Sequence, residues 1–123
     1  MPVWTAAGDY LRGAPLHGIH ATPILVTVIV SFGDAATEAL YHGTADRRTR
    51  RFPADILKAS LRKLDMLDAA AVLEDLRVPP GNRLEALKGE LKGQHSIRVN
   101  DQWRIVFRWT PQGPAEVRLI DYH

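Results

Sequence analysis

Apolar positions along this chain change period twice, and the changes divide it into elements. Residues 24–32 run Ile24-Leu25-Val26-Thr27-Val28-Ile29-Val30 into Ser31-Phe32, a β-branched stretch that predicts a buried strand. Gly33-Asp34 then offers a cap for a short helix over 35–42, stopped by Gly43. After a polar connector, Pro53 suits a first helical position, and Ile56, Leu57, Ser60, Leu61, Leu64 and Leu67 follow at helical spacing. Asp68 is placed to cap a second short helix through Leu76, which Val78-Pro79-Pro80-Gly81-Asn82 breaks.

From Ser96 onward the period is two. Ile97 and Val99 alternate with Ser96, Arg98 and Asn100, and Asn100-Asp101 is turn material. Trp103, Ile105, Phe107 and Trp109 then share one face while Arg104, Val106 and Arg108 share the other. A second turn over 110–114 precedes Val117 and Leu119, alternating with Arg118 and Ile120. The order β-α-α-(α)-β-β-β predicts an α+β domain with a mainly antiparallel sheet packed against helices. Residues 24–123 form that domain. Residues 1–23, with scattered Gly13, Pro15, Gly18 and Pro23 and no period, read as a poorly ordered N-terminal extension or as an upstream mis-start.

Length and charge narrow the picture. The 123 residues suffice for one core without staples. Net charge is only +2, but residues 1–43 hold one basic side chain (Arg12) against Asp9, Asp34 and Glu38. The remaining fifteen basic and eleven acidic side chains leave residues 44–123 at +4, which favours a polyanion contact. With no cysteine, a disulfide framework and a thiolate metal site are both excluded. The apolar run at 24–30 is far below the ~20 residues of a spanning helix, so no membrane is expected and a cytoplasmic home fits. His17, His20 and His42 lack ligand spacing, and no metal is assigned.

The candidate chemistry lies at the carboxy-terminal end. Arg104 sits on a strand and matches phosphate with a permanently charged fork. Asp121, Tyr122 and His123 close the chain; histidine titrates near ~6.5, tyrosine stacks on a base or handles protons, and aspartate orients a neighbour or ties a strand end. Lys88 suits a backbone phosphate. Arg83, Lys92, His95 and Arg98 form a looser basic group suited to gripping RNA backbone. Arg47, Arg48, Arg50 and Arg51 offer a second cationic stretch, equally readable as a solvated connector.

Leu87-Lys88-Gly89, Trp103-Arg104-Ile105 with Phe107, the terminal Asp121-Tyr122-His123 and the early Ser31-Phe32 together resemble the RelE/ParE superfamily of bacterial toxins, and within it the HigB branch. The resemblance covers about residues 28–123, and residues 1–27 have no counterpart in it. It implies a small toxin domain that cuts messenger RNA on the ribosome, without metal or other cofactor, by attack of the substrate's 2′-hydroxyl on the adjacent phosphate. It further implies a helix-turn-helix antitoxin (HigA-like) as partner, with operator DNA reached only through that complex. Arg104, His123, Tyr122, Asp121, Lys88 and Glu85 would carry the reaction; where the family pattern commonly has histidine, this chain has Glu85. A gyrase-poisoning toxin of the same fold, and a non-catalytic RNA- or antitoxin-binding module, are the competing functions.

Overall fold

The computed structural model describes residues 27–44 and 46–122. The extension over 1–23, with His17 and His20, and the terminal His123 lie outside the described residues.

Helix α1 spans Ala35–Tyr41. Asp34 stays extended (φ −151°) and its carboxylate accepts the Thr37 amide at 2.7 Å, satisfying a donor that the first helical turn cannot. Gly43 ends the element in the left-handed region (φ 75°), as the 35–42 reading anticipates. Helix α2 spans Leu57–Ala69 behind a 3-10 turn at Ala54–Ile56. Pro53 stands just outside it, extended at ψ 141°, rather than as the first helical residue. Ser60, Leu64 and Leu67 are buried, one stripe of the helix, which Ile56 of the preceding turn extends.

Asp68 caps nothing after α2. Its carboxylate instead accepts the Ile29 amide at 2.9 Å. The chain is extended at Ala70 and Val72 and re-forms as a 3-10 helix, Leu73–Arg77, and the amides of Ala71 and Val72 just before it donate to the Asp75 carboxylate. The second short helix of the sequence reading is therefore a 3-10 turn with a different cap.

Strands β1 (Glu85–Ala86), β2 (His95–Arg98), β3 (Trp103–Thr110) and β4 (Gly113–Asp121) form a four-stranded antiparallel sheet in that order. The fold is α+β, as expected. Two residues of β1 are too few for alternation to reveal, so the sequence reading lacked this strand. One face of the sheet meets the helices: Ile97, Ile105, Phe107, Val117 and Leu119 bury completely and pack with Leu64 and Leu67. Trp103 lies edge-on to Phe52, ring centroids 5.8 Å apart.

The strand expected over 24–32 is corrected in its described part. Val28 and Val30 donate to the carbonyls of Gln112 and Pro114, and Gly33 donates to Val117. Only Phe32 forms a full bridge, parallel to Val117. The ladder fails for two reasons. Pro114 has no N–H to return, and the Glu116 amide goes to Ser31 Oγ at 2.9 Å, from a bulge where Glu116 is left-handed (φ 54°). Val30 is half exposed rather than buried. This strap and α1 together cover the outer edge of β4, where Thr37 Oγ1 accepts the Leu119 amide at 2.9 Å. Among the described residues no helix is long and apolar enough to cross a membrane.

Candidate active site

Alternation gives the sheet a second face, and register decides who shares it. Glu85 faces Ser96 across β1–β2, Arg98 faces Arg104 across β2–β3, and Arg104 faces Ile120 across β3–β4. By the two-residue period Arg108, Arg118 and Tyr122 lie on this same side.

Arg104 sits at its centre and is buried, 8% exposed. Nε donates to Ser96 Oγ at 2.7 Å, and Nη2 donates to the Arg83 carbonyl at 2.6 Å and the Ser96 carbonyl at 3.4 Å. Burial holds its pKa below the ordinary arginine value, while Glu85 and then Tyr122 act in the opposite direction. The side chain remains a cation at any working pH. Glu85 Oε1 is 3.8 Å from Nη2, an ion pair too long for a hydrogen bond. The Tyr122 amide donates to the Gln102 carbonyl at 2.7 Å, anchoring the chain end beside Arg104.

Three sequence candidates are thus gathered on one face: Arg104, Glu85 and Tyr122. Arg98 joins them and pairs with Asp101, and Arg108 pairs with Glu116 at 3.1 Å. Lys88 and Lys92 are exposed on the loop around the 3-10 turn Gly89–Leu91. That loop abuts the arginine face, since a Cβ at Gly93 would lie 3.1 Å from Arg108 Nη1. Arg83 is exposed, and its left-handed backbone (φ 45°) turns its carbonyl to Arg104.

Other candidates are placed elsewhere. His95 pairs in register with Phe107 and stacks on it, centroids 6.2 Å apart, so it is on the opposite side of the sheet from Arg104. Asp121 is opposite Trp103 in register, and its carboxylate accepts Gln102 Nε2 at 2.9 Å, which ties the strand end. Trp103 follows the core face, away from its sequence neighbour Arg104. In the Arg-rich connector, Arg48 pairs with Asp46 at 2.7 Å and Arg51 lies over the Phe52 ring at 5.4 Å. The sequence reading missed Ser96, although its place in the alternation, two before Arg98, carries the signal.

A buried cation with a carboxylate and a phenol beside it is suited to binding a phosphodiester and exchanging protons with it. Comparisons with known proteins give the family. The family described as "RelE-like toxin of type II toxin-antitoxin system HigB" matches residues 30–123. The protein named Toxin HigB-1 of Vibrio cholerae is 47% identical over 94 residues, covering 76% of this chain and 96% of that protein. An uncharacterized protein of Haemophilus influenzae is 41% identical over 59 residues, 48% of this chain and 58% of that protein.

Proposed function

This chain belongs to the HigB-like family of RelE-like toxins in type II toxin–antitoxin systems, and from that premise we propose that it is an endoribonuclease that cuts messenger RNA on the ribosome. The observation that carries the reading is the Arg104 guanidinium, buried beneath a face that also holds Glu85 and Tyr122.

In this reaction the substrate's 2′-hydroxyl attacks the adjacent phosphorus and the 5′-oxygen leaves. Glu85 accepts the hydroxyl proton. Arg104 stabilises charge on the equatorial phosphorane oxygens, where a fixed cation in a water-poor site acts most strongly. Tyr122 stacks on a base flanking the cut or returns a proton. His123 supplies the proton to the leaving oxygen; this role rests on the sequence resemblance alone. Lys88, Lys92, Arg83 and Arg98 hold the RNA backbone, and that grip weakens with salt. His95, stacked on Phe107 on the opposite side of the sheet, and Asp121, tied to Gln102, take no direct part in this scheme. No step needs a metal or cofactor.

A type II toxin has an antitoxin, and here a helix-turn-helix (HigA-like) protein is the proposed partner, with operator DNA bound only through the complex. The proposed compartment is the cytoplasm, where message and ribosomes are. Mapping transcript 5′ ends in cells after induction tests the reading. New ends within translated regions are expected; gyrase-linked DNA breaks without such ends would favour a gyrase poison instead.

A further inference from the structure

An arginine has five N–H donors, and what matters at a phosphate is which of them remain free. Arg104 spends one edge on the protein. Nε is held by Ser96 Oγ, and Nη2 by the carbonyls of Arg83 and Ser96. Among the described residues Nη1 donates no hydrogen bond to protein. Ser96 itself is fully buried, on the Arg104 face and opposite Val106. Arg83 adopts the left-handed backbone that bulky residues avoid, and so aims its carbonyl at the guanidinium.

We propose that Ser96 and the Arg83 carbonyl are positioning groups for Arg104, clamping its Nε–Nη2 edge so that the Nη1 end is presented to the scissile phosphate. This rests on the reading of Arg104 as the phosphate ligand. The chemistry of the acceptors supports it. A hydroxyl and two carbonyls satisfy the donors without cancelling the positive charge, as a hydrogen-bonded carboxylate would. Among the described residues the carboxylate paired with it, that of Glu85, stands off at 3.8 Å. An arginine loses considerable rotamer freedom on binding; here that freedom is removed before substrate arrives, and a fixed cation is what transition-state stabilisation requires. The fork of Arg104 therefore meets phosphate end-on, through Nη1, rather than along the Nε edge.

Two measurements test this, one on the protein alone. In the free wild-type protein, the Arg104 Nε–H resonance is expected to be resolved and slow to exchange, to vanish into rapid exchange in Ser96→Ala, and to persist in Ser96→Thr. Single-turnover cleavage of ribosome-bound message at saturating protein is expected to slow ~10–100-fold in Ser96→Ala, with the half-saturating concentration nearly unchanged. Ser96→Thr should recover most of that rate. In an Arg104→Ala background, Ser96→Ala should add no further loss, because a positioning group acts only through what it positions. An Nε–H that exchanges as fast as in a solvated arginine, wild-type cleavage by Ser96→Ala, or additive losses in the double variant would each overturn the clamp. A wild-type protein that cuts no RNA would instead remove the nuclease reading, and the exchange measurement would still decide the clamp.

Discussion

Glu85 and Arg104 form a lopsided pair: Oε1 and Nη2 are 3.8 Å apart, with the carboxylate side chain half exposed and the guanidinium nearly enclosed. The carboxylate reaches solvent, where a 2′-hydroxyl would arrive, and the cation sits beneath it. Such a pair adds little to stability, and its value is local. In its proposed role of proton acceptor, Glu85 should be intolerant of an isostere without basicity. Glu85→Gln is expected to slow cleavage by ~10²-fold or more with the fold intact. Glu85→His should retain more activity, with an acid limb near the ordinary histidine pKa of ~6.5. Wild-type rates from Glu85→Gln would remove this residue from the chemistry.

Tyr41 carries a pH signature of its own. Burial, followed by the Asp68 and Asp65 carboxylates and a hydrogen bond to Asp68, pushes its pKa up to about 12 from 10.0. A group whose folded pKa is raised contributes stability that is complete below the unfolded value and lost as pH climbs through the folded one. The Tyr41 contribution is therefore present below pH ~10 and fades between ~10 and ~12. Urea unfolding across this window should show the gap between wild type and Tyr41→Phe narrowing as pH rises. A gap that stays constant would contradict the assignment.

Thr37 closes the edge of β4 from inside α1. Its fully buried hydroxyl accepts the Leu119 amide at 2.9 Å. Thr37→Val matches the shape but strands that amide, and is expected to destabilise by ~1–3 kcal/mol. Thr37→Ser should lose less, because the acceptor remains. Chemical denaturation of both variants checks the order; a reversed order would show that the methyl, not the hydroxyl, matters here.

At Gly113 the strap passes so close that a Cβ would collide with the Val28 carbonyl, and φ is 128°. Gly113→Ala is expected to destabilise by at least ~2 kcal/mol through clash and strain together. A melting temperature within a degree of wild type would show that the strap over 28–33 lifts off at little cost.

Strands β2 to β4 and helix α2 were legible because their periods are long enough to count, and α1 because Asp34 and Gly43 bound it. Eight residues of β3 fix which side chains share a face, and the Leu64–Leu67 stripe does the same for α2. What escaped was set by backbone donors. Pro114, lacking an N–H, and the Glu116 amide, diverted to Ser31 Oγ, turn an apparent strand into a strap. Asp68 looked like a helix cap because its true acceptor role lies 39 residues away in sequence, at Ile29. Within the site, Arg104, Glu85 and Tyr122 could be named from residue type and resemblance. Their common side of the sheet needed the register. His95 looked like part of the basic group until its pairing with Phe107 put it across the sheet. Ser96 was passed over because a buried serine carries no chemistry until something is seen to lean on it.

The proposed role of the Arg104 cation in phosphodiester cleavage is tested most directly by a rate. Single-turnover cutting of message on purified ribosomes should be at least ~10²-fold slower with Arg104→Ala than with wild type. Both proteins must first be shown folded by their circular dichroism spectra. Equal rates from the two proteins would contradict the account.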